Sequence, residues 1–522
     1  MDGEKRYSYR EFNEWVNRLT HYFWSLGIEK GDKIALMMQN SSDFLAVFYA
    51  TAKAGAVAVP VNYRLTKPEA AYILDHSDSV LAIVDKEYET MVREIALENE
   101  AALESDVAMQ NHIASESDAA LAKHTKSEDG KLRHILVAGV DTGSTQLGDF
   151  STSEPANFSG PAEVVTEADD CEILYTSGTT GRPKGALFDH HRVIHVGITM
   201  MAAMGVNERD RLLHVAPMYH CAELNLFVVS GVHVGATHVI ARRFDPKEVL
   251  ARIRRERISL FFGVPTMYNM MLQHYDAQTD DLSSVTRCGY GAAPMAPALV
   301  TRSMEMFGTK QFYNLAGLTE GGPNGVLLRP EDHDGKLGTS GRALSSSEAR
   351  VVDVVSVVNG EDRDVLPGEV GEFIIKAETV MKEYYKNPAA TQEALRDGWL
   401  YTGDLATIDE DGFIAIVDRK KDMVISGGEN IYSTEVENVL YRHPKVLDAA
   451  VIGIPDDQWG EAVAAVVVTK AGDEITLEEL REFCRDHLAA YKLPRVLLQR
   501  DVLPRNPSGK VMKFVLREEY RA

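Results

Sequence analysis

The 522-residue chain contains no stretch of about 18 consecutive apolar residues, so its sequence offers no transmembrane helix. Met1 is followed by Asp2, Glu4, Lys5 and Arg6 with no apolar signal-peptide core behind them, and the expectation is a soluble, unexported, cytoplasmic protein. Cysteine is scarce: Cys171, Cys221, Cys288 and Cys484 stand apart without C-x-x-C or zinc-ligand spacing, which argues against a disulfide framework or a structural metal and suits a reducing compartment. Positive charge is in deficit, with 55 basic against 78 acidic residues and a net charge of −23. Such a field repels nucleic acid and anionic membrane surfaces, so any anionic ligand has to be held by a local cluster of donors. The G-x-x-x-x-G-K-[ST] spacing of a Walker A loop is absent throughout, and no internal repeat is apparent.

What is present is globular: 45% hydrophobic and 25% charged residues, in a chain long enough for two or more domains. Ser8-Tyr9-Arg10-Glu11 has the capping-box form and is followed by Phe12, Val16, Leu19 and Phe23 at helical spacing, which predicts an opening helix. Short apolar runs at 34–38, 56–61, 80–84 and 134–140 predict strands, with a helix over 42–54 between the first two, the alternation of an α/β fold. Residues 94 to about 165 turn acidic and Ser/Asp/Glu/Gly-rich and read as a partly disordered surface insertion without chemistry. Regular character returns at Asp170 and continues to about Asp418. Beyond it lie about a hundred residues with capping boxes at 434–437 and 476–479, an apolar face of Leu477, Leu480, Phe483 and Leu488, and strands at 449–454 and 462–469. The Met-rich runs 200–204 and 267–271 read as core helix.

The run YTSGTTGRPKG, 175–185, fits a loop that wraps a polyphosphate. Gly178, Gly181 and Gly185 let the backbone come close, the hydroxyls of Thr176, Ser177, Thr179 and Thr180 add donors, and Lys184 supplies a point charge for outer phosphates. The ordinary alternative is a flexible Gly/Thr turn. Further polar landmarks follow: YNLAGLTE ending in Glu320, a carboxylate able to hold Mg²⁺; YTGD ending in Asp404, suited to a ribose diol; DRKKD over 418–422; and PRNPSGK ending in Lys510. Taken singly, each has a plain structural reading as a solvated carboxylate, a turn or a surface lysine.

In this order and spacing the set resembles the adenylate-forming superfamily of acyl-CoA synthetases, peptide-synthetase adenylation domains and luciferases, from about Ser8 to Arg517. The resemblance implies a large N-terminal domain of mixed α/β layers over 1–418, binding AMP and the acyl group, and a small mobile α+β C-terminal domain over 419–522 that carries a catalytic lysine. It implies ATP, Mg²⁺ and coenzyme A as cofactor or co-substrates and a small carboxylic acid as substrate. Thr176 to Lys184 would cradle the phosphates, Gly291, Ala292 and Ala293 with Pro294 would line the adenine, and Thr319 and Glu320 would meet the α-phosphate and Mg²⁺, with Thr176 the second metal ligand. Asp404 matches the ribose position, Arg419 would assist it, Lys421 falls at the hinge, and Gly427 and Gly428 fall in the loop lining the pantetheine tunnel. His220, in PMYHCAEL, takes the place of a histidine near the acyl pocket, although a satisfied core histidine beside Tyr219 explains it equally. Three departures stand out: Ala316 replaces the aromatic that stacks on adenine, with Tyr313 a nearby substitute; the chain begins close to its first family landmark; and the acidic insertion is long. Loss of the stack would weaken ATP binding by about 0.5 to 1.5 kcal/mol.

Such an enzyme needs no general base in its first step, because a carboxylic acid of pKa about 4 to 5 is already ionised at neutral pH. The difficulty is repulsion between that carboxylate and a polyphosphate of like sign. Lys510 is the candidate cation between carboxylate and α-phosphate, and the second step, thiol attack on the acyl-adenylate, needs it withdrawn by movement about Lys421. Aliphatic and small side chains, along with Phe261, Phe262 and Tyr290, make up the expected pocket segments 261–266, 289–293 and 315–317, which favours an apolar acyl chain, a medium- or long-chain fatty acid. The alternatives are an aryl or phenylpropanoid acid:CoA ligase, an amino-acid-activating domain, for which no carrier segment follows Lys510, and a non-catalytic nucleotide-binding relative.

Overall fold

The computed structural model describes residues 1–99, 132–138, 157–158, 160, 164–176, 182–358, 360–505 and 510–520. The chain divides into two compact units, the first Met1–Thr176, Pro183–Glu348 and Lys376–Leu395, the second including Ala349–Ile375 and Arg396–Ala522. Most of the acidic insertion lies outside the described residues. Its start is later than composition indicates, because residues 89–99 are one helix whose Val92 and Ile95, three apart, are buried in the core.

In the first unit the opening helix Tyr9–Ser25 carries the full capping box, Ser8 Oγ accepting the Glu11 amide and Glu11 accepting the Ser8 amide at 2.7 Å. The apolar runs are strands Lys33–Met37, Val57–Pro60, Ser79–Asp85 and His134–Ala138, joined in parallel with Asp170–Thr176. Their near-continuous hydrophobicity follows from burial on both faces. Lys184–Asp189 and Glu383–Tyr384 extend that sheet antiparallel. A second seven-stranded sheet runs in the order Arg342–Ala343, Gly325–Leu328, Phe312–Gly317, Arg287–Gly291, Leu260–Gly263, Arg211–His214, Thr237–Ile240, the last five parallel.

The carboxyl ends of the two sets of parallel strands meet. Asn40, just past Lys33–Met37, donates to the Ala216 carbonyl and accepts from the Met218 amide, both at 2.8 Å, just past Arg211–His214. Asp85 pairs with Arg242 at 3.0 Å, and Gln39 accepts from Arg243 at 3.2 Å. Two helices are buried nearly all round, Ser42–Ala54 and the π-helical Ala222–Val229, as their lack of a polar face requires. Met200 and Met204 are core residues, and in the 265–274 helix Met271 is buried while Met270 is exposed. No described helix is long and apolar enough to cross a membrane.

In the second unit Ser347–Val352, Val370–Ala377 and Trp399–Ile408 form a sheet with Ile414–Arg419 beside it, and a further sheet has the order Glu429–Ile431, Val424–Ser426, Gly460–Thr469, Val446–Asp456 with Val496–Gln499 parallel to Gly460–Thr469. The second expected capping box is a true cap, Thr476 accepting the Glu479 amide, and Leu480 and Leu488 face the core as the periodicity predicts. The first is not. Thr434 lies inside the helix Ser433–Leu440 and donates to the Val417 carbonyl, because Asp418 takes the Ser433 amide from outside and Glu437 is drawn to Lys513 at 2.7 Å.

Candidate functional site

The phosphate-loop candidate connects two antiparallel strands whose last pair is Thr176 with Lys184, the Thr176 hydroxyl donating to the Lys184 carbonyl at 3.3 Å. Ser177, Gly178, Thr179, Thr180 and Gly181 lie outside the described residues. Gly185 is required where it stands, since a Cβ there would fall 2.6 Å from Ile173 Cγ2. Lys184 Nζ lies 4.1 Å from the ring centre of Tyr384, and the Tyr384 hydroxyl donates to Glu320 Oε1 at 2.8 Å. One tyrosine therefore joins the basic end of the loop to the acidic end of the L-T-E turn. It gets there because Glu383–Tyr384 pairs with the strand that begins at Lys184.

Strand Phe312–Gly317 delivers Thr319 and Glu320 on a single tight turn. Gly317 lies so close to the neighbouring strand that a Cβ would meet Pro323 O at 2.1 Å. The turn is pinned by the Met381 amide on Glu320 O and the Thr379 hydroxyl on Gly321 O, each at 2.8 Å. Thr319 Oγ1 also lies 3.3 Å from Cys221 Sγ. One strand over, Arg287–Gly291 ends where a Cβ on Gly291 would strike Leu315 O at 2.1 Å, and Ala292 follows at φ 64°, a left-handed conformation that costs a non-glycine residue about 1 to 3 kcal/mol. Ala292 and Ala293 are exposed. Tyr313 cannot replace the missing aromatic: side chains alternate along the strand, and Tyr313 shares with Leu315 the face packed on Phe262 and Leu212, opposite to that of Ala316. His220 is half-buried at the entrance of the π-helical segment, where its Nδ1 accepts the Ala222 amide at 3.3 Å. Tyr219 packs edge-on against Tyr63 at 5.4 Å.

In the second unit Asp404 and Arg419 are paired residues of adjacent strands, their side chains 3.2 Å apart, just past the positive-φ Gly403. Arg419 is followed by Lys420, which meets Glu372 at 2.9 Å, exposed Lys421, and Asp422, which meets Arg517 at 2.9 Å. Gly427 and Gly428 both have positive φ, 63° and 84°, and a Cβ on Gly427 would sit 2.8 Å from the Trp459 ring. Arg495 stacks on that ring at 4.3 Å. Lys510 is exposed on the returning arm of a hairpin closed by the Met512 amide on the Pro504 carbonyl, at 2.8 Å.

The AMP-binding enzyme model matches residues 1–385, and the AMP-binding enzyme C-terminal domain matches 435–510. The chain belongs to the AMP-binding enzyme family. It is 35% identical over 519 residues to the long-chain-fatty-acid–CoA ligase FadD13 of Mycobacterium tuberculosis, covering 99% of this chain and 94% of the relative. It is likewise 35% identical over 520 residues to a feruloyl-CoA synthase of Amycolatopsis, covering 99% and 95%. The crystal structure of ATP-bound MatB from Rhodopseudomonas palustris superposes with a TM-score of 0.82 at 28% identity, over 98% of this chain and 93% of that one. This family member is an adenylate-forming enzyme of the acyl-CoA synthetase type, an ATP-dependent acid:CoA ligase.

Two features of this AMP-binding enzyme escape the sequence landmarks. Tyr384 is the first; the Tyr384-Tyr385-Lys386-Asn387-Pro388 run, aromatics ahead of a Pro-initiated helix, is its sequence signal. The second is a set of wholly buried acids behind the site. Glu223 lies beside His214 Nδ1 at 2.5 Å, and His214 Nε2 is 2.8 Å from His238 Nδ1. Burial raises the Glu223 carboxyl and pushes His214 down to about 3, so the chain is neutral. Glu172, on the strand leading into the phosphate loop, accepts from Asn225 at 2.5 Å, and burial raises its carboxyl to about 7. Cys221 is pushed up by burial to about 12 and is no nucleophile at neutral pH.

Two outcomes are expected. Tyr384→Phe keeps the ring under Lys184 but removes the bond to Glu320, lowering acid-dependent pyrophosphate release by about 10- to 100-fold in kcat/KM with little change in melting temperature. Glu172 binds its proton more tightly folded than unfolded, so its favourable contribution is complete below the unfolded value of 4.5 and is lost as pH rises through about 7. Glu172→Gln should therefore melt above wild type at pH 8, by the equivalent of on the order of 3 kcal/mol, and the gap should close towards pH 5. A gap independent of pH would count against a buried titrating acid.

Proposed function

We propose that this acid:CoA ligase activates a medium- or long-chain fatty acid, forming the acyl-adenylate with Lys510 as the mobile cation and then the thioester with coenzyme A. The observation that carries the reading is the Lys184–Tyr384–Glu320 cluster beside Thr319, a cation and a carboxylate held on one phenol at the meeting strand ends. Lys184 and the Thr176–Lys184 loop hold the polyphosphate; Thr319 meets the α-phosphate; the Gly291–Ala293 turn lines the adenine; Asp404, oriented by Arg419, binds the ribose. Among the described residues no group of three or more His, Cys, Asp or Glu could cage a metal, and a lone carboxylate suits Mg²⁺, which keeps waters and phosphate oxygens as its other ligands. Glu320, with Thr176, would hold that ion, which supplies charge neutralisation to the departing pyrophosphate.

In the first step the substrate carboxylate attacks the α-phosphorus, the bond to pyrophosphate breaks, and no proton has to move. In this reading Lys510 would offset the repulsion between the two anions. In the second step the thiol sulfur attacks the acyl carbonyl and AMP leaves. That step needs the Lys510 hairpin withdrawn by rotation of residues 419–522 about Lys421 and the Gly427–Gly428 loop, backed by Trp459, presented in its place. Enzyme location in the cytoplasm accords with its demand for ATP and CoA.

The apolar and small side chains of 261–266 and 289–291, Phe261, Phe262 and Tyr290 among them, accord with an apolar acyl chain. An aryl acid is the second reading, favoured by the Phe227–Phe262 stack, centroids 4.8 Å apart, packed where a Cβ on Gly289 would lie 3.1 to 3.5 Å away. A panel of aliphatic, aryl and amino acids, followed by acid-dependent pyrophosphate release with and without CoA, separates them: fatty acids of increasing length should outpace ferulate or benzoate. Lys510→Ala should slow adenylation about a hundredfold or more; an undiminished rate would remove the central cation from the mechanism. Lys421→Pro should spare adenylation and depress thioester formation, whereas equal loss in both would deny the hinge.

A further inference from the structure

The π-helical segment Ala222–Val229 lies between residues proposed above to bind the nucleotide and residues proposed to line the acyl pocket. Such winding is rare and concentrates at functional positions. At its start Cys221 Sγ is 3.3 Å from Thr319 Oγ1. One turn on, Asn225 Nδ2 donates to Glu172 Oε1 at 2.5 Å, and both side chains are wholly buried. Strand alternation places Glu172 on the same face as Leu174 and Thr176, the first residue of the phosphate loop, while Ile173 and Tyr175 pack on the other side. His220 stands at the same start, its Nδ1 3.6 Å from Cys221 Sγ, and towards the other end Phe227 packs towards Gly289.

The Glu172–Asn225 pair is left with two buried polar atoms, Glu172 Oε2 and Asn225 Oδ1, that have no partner. Buried polar atoms are almost always satisfied. A protonated acid and an amide satisfy one another: the amide N–H donates to one carboxyl oxygen, and the O–H on the other donates to the amide oxygen. A small rotation about the existing bond closes that two-bond ring without a charge. Nothing in the adenylation chemistry uses either residue, and an apolar pair would fill the same space more simply.

We infer that Ala222–Val229 is a rigid coupler, with Glu172, Asn225 and Cys221 as positioning residues, through which occupation of the acyl pocket raises the affinity for ATP. Phe227 and His220 sense the acid; Asn225 and Cys221 carry the displacement to the strand of Thr176 and to Thr319. The inference rests on the acid:CoA ligase reading and adds to it an energetic link between its two first-step substrates.

The test measures, on the full chain, the dissociation constant of α,β-methylene-ATP with Mg²⁺, in the absence and presence of whichever acid of the panel supports the fastest pyrophosphate release. Wild type should bind the analogue about fivefold more tightly with the acid bound. Asn225→Ala and Cys221→Ala should bring that ratio to less than about twofold while affinity without acid stays near wild type. Glu172→Gln, the neutral isostere, should keep the full ratio where Glu172→Ala loses it; a merely structural role would weaken binding equally with and without acid. Should Glu172→Ala fail to fold, Cys221→Ala and Glu172→Gln carry the test. An intact ratio in Asn225→Ala, an uncoupled Glu172→Gln, or a wild type that turns over acid with no coupling overturns the inference. Absence of pyrophosphate release with every acid would instead overturn the ligase reading beneath it.

Discussion

Repulsion between like charges is the constraint on which this molecule is built. The chain carries a net charge of −23, yet its reaction brings a carboxylate against a triphosphate. At the Lys184 end of the site the cation is accordingly kept from collapsing onto the nearby acid, whereas Arg419 pairs with Asp404 at 3.2 Å. Lys184 rests on the face of Tyr384, whose hydroxyl is spent on Glu320, so that cation and carboxylate are held apart by a ring that neither can ionise. A direct Lys184–Glu320 salt bridge would have satisfied both groups and left little field for a nucleotide. A ring quadrupole attracts the ammonium by only about 0.5 to 1 kcal/mol at an exposed site, which a phosphate easily outbids.

The same constraint shows in the interior. Where the core behind the site contains acids, it disfavours their charge: Glu223 against His214, and Glu172 against Asn225, raised to about 7. An ionised carboxylate buried there would add to the negative potential at the phosphate loop, and burial raises both acids so that the neutral form is favoured. Close backbone approaches serve the same geometry. Gly291, Gly317 and Gly185 each stand where a Cβ would collide with neighbouring backbone or a side chain, which lets the turn after Gly291, the Thr319–Glu320 turn and the strand starting at Lys184 approach closely.

Sequence pattern reveals the strands of the first sheet because they are buried on both faces and read as continuous apolar runs, and it reveals Ser8 and Thr476 because a cap is a local event. It misleads at Thr434, where the cap comes from Asp418, sixteen residues earlier in the chain, and no local rule sees such a partner. The glycine, hydroxyl and lysine run of the phosphate loop and the L-T-E and T-G-D turns are visible as motifs for the same local reason. Tyr384, Asn225 and Glu172 are not, since their meaning lies in contacts 64 and 53 residues or more apart along the chain. Tyr313 makes the converse point: proximity in sequence to Ala316 makes it a natural substitute, and the alternation of a strand puts it on the wrong face.

Within the second unit the residues flanking Lys510 are tied by charged pairs to the body of the unit. The hairpin that carries Lys510 runs directly into the helix Lys513–Glu519. Lys513 meets Ser433 Oγ at 2.6 Å and Glu437 at 2.7 Å, and Arg517 meets Asp422, one residue past the proposed pivot, at 2.9 Å. Arg505, at the other arm, is tied to Asp448 at 2.6 Å. Partly exposed charged pairs of this kind contribute little net stability, so they fix geometry more than they add energy. Asp422, Glu437 and Asp448 are three anchors that tie the residues on either side of this hairpin to the body of the second unit.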